Sequence, residues 1–82
     1  MFINKTAEGR NNRCGEQISR LRTQMGISQR KLADMLQLAG LDIDKNAIQR
    51  IEAGKRFVTD IELVYFSRLF RVSYSELLDG SE

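Results

Sequence analysis

The 82-residue chain has no histidine, no proline and a single cysteine, Cys14. Without histidine and with one thiol, a zinc site and histidine-based acid–base catalysis lack their raw material. Neither a metal site nor a catalytic residue is expected, no cofactor box stands out, and an enzyme is not expected. One cysteine cannot close an internal disulfide, so nothing calls for an oxidising compartment and a cytoplasmic location is expected. No apolar run approaches the roughly 18 residues that a membrane helix needs, and no charged start leads into an apolar stretch with a cleavage site. No membrane span and no signal peptide are expected. Windows that alternate apolar and polar residues are also too short for a sheet, so the chain should be all helical.

What is present suits one small domain. Hydrophobic residues make up 41% of the chain and charged residues 29%, an ordinary globular balance with room for a single core. The net charge of +2 hides a gradient. Through Arg56 there are eleven basic and six acidic residues, net +5; beyond it two arginines face five carboxylates, net −3. One end of the domain is built to meet an anion.

Four places share one local pattern: an apolar residue, a capping residue, then an apolar residue four positions after the cap. They are Ile27-Ser28 with Leu32, Ile43-Asp44 with Ile48, Val58-Thr59 with Leu63, and Val72-Ser73 with Leu77. Thr59 with Glu62 and Ser73 with Glu76 add capping boxes. An earlier helix is expected over residues 13–25, with Asn12 as its cap, Cys14, Ile18, Leu21 and Met25 as a buried stripe and Gly26 as its stop. The second helix should cover residues 29–39 and bury Leu32, Ala33, Met35 or Leu36, and Leu38. The third should cover residues 45–53, the fourth 60–70 and a short fifth 74–79. Residues 1–12 show no periodicity and read as a flexible arm, in which Lys5 and Arg10 offer cations. The domain is then residues 13–80.

The segments "ISRLR", "GISQRKLA", "IQRIEAGKR" and "VTDIELVYFSRLFRVSYSELL", in that order, make residues 15–77 resemble the Cro and phage-repressor type of helix-turn-helix DNA-binding domain, the XRE family. The resemblance implies a five-helix bundle whose second and third helices read double-stranded DNA. The residues have the chemistry for it. Lys45, Asn46, Gln49 and Arg50 fall on one side of the third helix, with Ala47, Ile48 and Ile51 on the other. Asn and Gln can pair with adenine, and Lys or Arg can donate to guanine, in the major groove. Ser28 caps a positive helix end suited to a phosphate. Arg30 can reach phosphate as well.

By resemblance, Gln29 contacts the DNA backbone and braces the recognition helix, Gly54-Lys55-Arg56 is a phosphate-clamping loop, Ala33 is the small residue at the helix crossing, and Arg22 pairs with Glu52. A homodimer on a two-fold operator is implied, regulating transcription. Tyr65, Tyr74, Phe70 and Leu78 are the expected apolar surface for it. The alternative is an antitoxin-like or protein-interaction module that grips an additional protein partner through its carboxyl-terminal helices. One departure stands out: the family's turn glycine has no match at Gln37. Gly40 takes the stop role later, and Leu41-Asp42-Ile43 is inserted before Asp44. Ile43 and Leu41 should pin this lengthened turn to the core, and Asp44 should cap the recognition helix.

Overall fold

The computed structural model describes residues 5–79. Five helices follow in order among the described residues, with no strand: α1 Gly15–Met25, α2 Gln29–Ala39, α3 Lys45–Glu52, α4 Asp60–Phe70 and α5 Tyr74–Asp79. The starts of α2 to α5 are set by the expected side chains. Ser28 Oγ accepts from the Lys31 N–H at 3.0 Å, Asp44 Oδ1 from Ala47 at 2.8 Å, Thr59 Oγ1 from Glu62 at 3.1 Å and Ser73 Oγ from Glu76 at 3.0 Å. Each satisfies one N–H that the first turn leaves without an intrahelical partner. At Thr59 the box closes, because its own N–H donates to Glu62 Oε1 at 3.0 Å. At Ser73 only the serine half forms.

The helices meet on Ile18 from α1, Leu32, Ala33 and Leu36 from α2, Ile48 and Ile51 from α3, Phe66 from α4 and Leu77 from α5, none more than 2% exposed. Ile43 joins them from the α2–α3 connection at 3%. Leu41 packs against the same cluster. Each large side chain so buried contributes about 1.5–3 kcal/mol of transfer free energy. Phe66 stacks on Phe70 with ring centroids 6.4 Å apart. Through these contacts α3 packs on α1 and α2, while α4 packs on α2 and α5. Cys14 lies 1% exposed at the head of α1, and burial pushes its thiol up to about 11.

Several expectations need correction. The first helix starts at Gly15, two residues later than expected. Cys14, not Asn12, stands at its cap position and makes no side-chain cap bond, while Asn12 Oδ1 accepts from the Gly15 N–H at 2.8 Å from just upstream. Met25 is 45% exposed, because residues 23–26 all run out into solvent at the end of α1. Leu38 is 90% exposed. It follows buried Leu36 by two residues, which is roughly 200° around a helix, so α2 turns it away from the bundle. Of the expected apolar surface, only Tyr74 is exposed, at 50%; Tyr65, Phe70 and Leu78 are partly buried against the core. Two other exposed apolar side chains flank the start of α4, Phe57 at 56% and Ile61 at 65%. Residues 10–12 do not hang free: each bonds to the end of α3 or the loop beyond it. Residues 1–4 of the expected arm, and residue 80 at the expected domain end, lie outside the described residues.

Candidate nucleic-acid interface

The third helix is held at both ends and along its inner side. At its start, Asp44 caps and Ile43 sits beside Ile48 in the core. The lengthened connection leading there has its own fastenings. Gly40 closes α2 at φ 109°, a left-handed conformation that a side chain would strain, and the Leu41 N–H returns to the Leu36 carbonyl at 2.9 Å. Gln37 then reaches across, donating from Nε2 to the Ile43 carbonyl at 2.7 Å. Along the side, the Glu52 carboxylate is 8% exposed and takes three hydrogen bonds. Arg22 donates two, at 2.7 and 3.1 Å, and Gln29 Nε2 a third at 2.9 Å. A buried carboxylate so fully paired fixes the angle between α1, α2 and α3. Ala33, 2% exposed, leaves no room for a larger group on the inner face of α2.

This anchoring leaves the opposite face of α3 clear. Lys45, Asn46, Gln49 and Arg50 are all exposed. Among the described residues none of their side chains makes a hydrogen bond or ion pair. Asn46, Gln49 and Arg50 line one shallow depression together with Ala53 and Lys55. A second depression runs between the helices, where Arg30 from α2 faces Lys45 and Asn46 from α3. Asp34 and Asp44 line it too, so its positive charge is diluted, although Asp44 is already bonded to Ala47. Long donors and acceptors thus stand on a helix whose apolar side is locked.

A family model described as helix-turn-helix matches residues 18–77, well over half of the chain. The chain belongs to the helix-turn-helix family of the Cro and phage-repressor type. The matched segment spans α1 to α5 up to Leu77, and the family supports a DNA-binding regulator in general. Neither a curated protein nor a solved structure matches the chain. No helix among the described residues is long and apolar enough to cross a membrane.

Within this helix-turn-helix chain the remaining candidates divide. Ser28, Arg30 and Lys55 are exposed. Gln29 commits one N–H to Glu52 and keeps the other. Gly54 takes the left-handed conformation at φ 80° and opens the clamp loop. Arg56, expected at phosphate, already has partners within the chain. Its guanidinium is taken up by Glu62, with donor–acceptor distances of 3.0 and 2.9 Å, and by the Phe57 carbonyl at 3.0 Å. The hydrogen bond to Glu62 raises the Arg56 pKa further above its ordinary value. Burial pushes the Glu62 carboxyl up, but the bonds from Arg56 and from the Thr59 N–H, with the guanidinium charge, outweigh it and hold the group below its usual range. Sequence reasoning missed the bond of Gln37 to Ile43, the pairing of Glu62 with Arg56 and the hold of residues 10–12 on the end of α3. Gln37 left a trace as the residue standing in the place of the family's glycine; Arg10 left none, because its partner Glu52 is 42 positions away.

Proposed function

We propose that the protein is a sequence-specific regulator of transcription that binds double-stranded DNA as a homodimer, with α3 in the major groove. The observation that carries this reading is the unpaired polar face of α3, Lys45, Asn46, Gln49 and Arg50, on a helix fixed at both ends. These four read base edges; Ser28, Gln29, Arg30 and Lys55 hold phosphates, the first three at the start of α2 and the last beyond α3. Arg56 leaves this set, because its charge is already paired. A single recognition helix meets few base pairs, and pairing two of them on half-sites a turn apart multiplies specificity. Phe57 and Ile61, next to the clamp loop, form the surface on which the second copy packs. A cytoplasmic location belongs to the same proposal.

Titration with mixed-sequence duplex over a salt series tests it. Affinity should fall steeply with salt, since roughly 6–10 phosphate contacts per dimer release as many counterions. No binding at low salt, or a flat dependence, rejects DNA as the partner. Against selected operator sequences, Gln49→Ala should cost about 1–3 kcal/mol at one base position and relax specificity there, while Lys55→Ala should weaken all sequences alike. Equal weakening by both variants on every sequence would show that the reading face is misassigned.

A further inference from the structure

Residues 10–12 precede the segment that the family model matches, yet they hold the far end of α3. Arg10 Nη2 donates to the Glu52 carbonyl at 2.8 Å and approaches the Ile51 carbonyl at 3.5 Å. Asn11 donates from its backbone to the Gly54 carbonyl at 2.8 Å and from Nδ2 to the Lys55 carbonyl at 3.1 Å. Asn12 Nδ2 is shared between the Ile51 carbonyl at 3.0 Å and the Arg56 carbonyl at 2.8 Å. A helix leaves its last four carbonyls without intrahelical partners, and its end is negative. Here the Arg10 cation and the Asn12 amide meet that need at Glu52 and Ile51, while Asn11 holds the loop just beyond. The Arg10 side chain is 18% exposed. It fills a slot walled by two glycines. A Cβ on Gly54 would stand 2.7 Å from Arg10 Cζ, and one on Gly15 would stand 2.6 Å from Nη2 and run into the Ile51 carbonyl oxygen.

We propose that residues 10–12 are a strap belonging to the DNA-binding unit, in which Arg10 and Asn11 are positioning residues that set where Lys55 meets phosphate. This rests on the DNA-binding reading above. The Lys55 side chain has no partner among the described residues, so its backbone alone places it. That backbone is held by its N–H on the Arg50 carbonyl at 2.9 Å and by Asn11 on its own carbonyl. Without the strap, the last turn of α3 and the loop beyond it lose the donors that meet their open carbonyls, and they fray. An arm that touches DNA needs a free guanidinium; the Arg10 guanidinium is held against α3.

The test uses the full chain with Arg10→Ala, with Asn11→Ala as the milder variant that removes only the side-chain bond to the Lys55 carbonyl, and Lys5→Ala as the control. Amide hydrogen exchange at Gly54 and Lys55, and affinity for mixed duplex across a salt series, are read well below each variant's melting temperature. Arg10→Ala should speed exchange at these amides about tenfold or more and weaken binding about tenfold. Its log affinity should depend less on log salt, the slope shrinking by about one per protomer, as for one lost phosphate contact. Asn11→Ala should move the same readouts in the same direction and by less, and Lys5→Ala should leave exchange unchanged. If wild type binds duplex while both strap variants keep its exchange rates and salt slope, the strap is overturned, even where melting temperature falls, because a merely structural role would lower only that. If wild type binds no duplex, the DNA reading falls first and the strap's role in it falls with it.

Discussion

Lys55 and Arg56 are adjacent cations with different fates. Lys55 is exposed and its side chain is unpaired among the described residues, whereas Arg56 is tied to Glu62 through two short bonds. Arg56→Ala should therefore leave the affinity of folded protein for mixed duplex close to wild type. It should lower unfolding free energy by about 1–3 kcal/mol, because Glu62 keeps its charge in a largely buried place without its partner. Denaturant midpoints and duplex titration check the two halves separately. Glu62 also gives the fold a dependence on pH. Its folded pKa lies below the unfolded value of about 4.3, so near pH 4 the folded chain holds fewer protons than the unfolded one and stability rises with pH. The contribution is complete above about pH 5 and is lost as pH falls through the folded value. Melting temperature should drop between pH 5 and pH 3 more steeply in wild type than in Glu62→Gln; equal slopes would exclude Glu62 as a source.

At the scale of elements, the connection between α2 and α3 does the work of a turn with more residues. Gln37→Ala removes the side-chain bond to the Ile43 carbonyl and should destabilise by about 1 kcal/mol, while Asp44→Ala should cost about the same through the lost cap. If thermal unfolding shows neither loss, the connection is held by Ile43 and Leu41 alone. The end of α4 offers the opposite case. Arg71 stands at φ 58° without being glycine, and Arg71→Gly should stabilise by about 1 kcal/mol in the same assay. Helix starts were legible in the sequence because a staple and a cap lie within five residues of one another, as at Ile27 to Leu32 or Val58 to Leu63. Leu38 and Met25 were misplaced because periodicity says which face a residue joins, not whether the bundle extends that far along it. The four groups on the outer face of α3 were readable by the same periodicity, and Ala47, Ile48 and Ile51 fixed its inner side. The fate of Arg56 was not, since it depends on how the loop to α4 folds back, and Arg10 was not, since its partners come from a distant turn.

For the molecule as a whole, two exposed apolar side chains, Phe57 and Ile61, lie together beside the clamp loop, whereas of the aromatic residues nearest the carboxyl terminus only Tyr74 faces solvent. Tyr65 and Phe70 are partly buried in support of Phe66, while Phe57 and Ile61 face solvent. If the second copy packs there, Ile61→Asp should shift sedimentation toward the monomer. It should also weaken binding to a two-half-site duplex by tenfold or more while leaving the weak binding to a single half-site in place. A dimer of unchanged strength would move the contact elsewhere. The charge gradient read from the sequence has a counterpart here, with the cations Lys45, Arg50 and Lys55 on or just past α3 and Asp60 and Glu62 in the first turn of α4. The buried thiol of Cys14 also makes the chain its own reporter. It sits two residues past the strap, so an alkylating reagent reaches it when the head of α1 opens, and the rate of mass gain under native conditions follows the population of that open state.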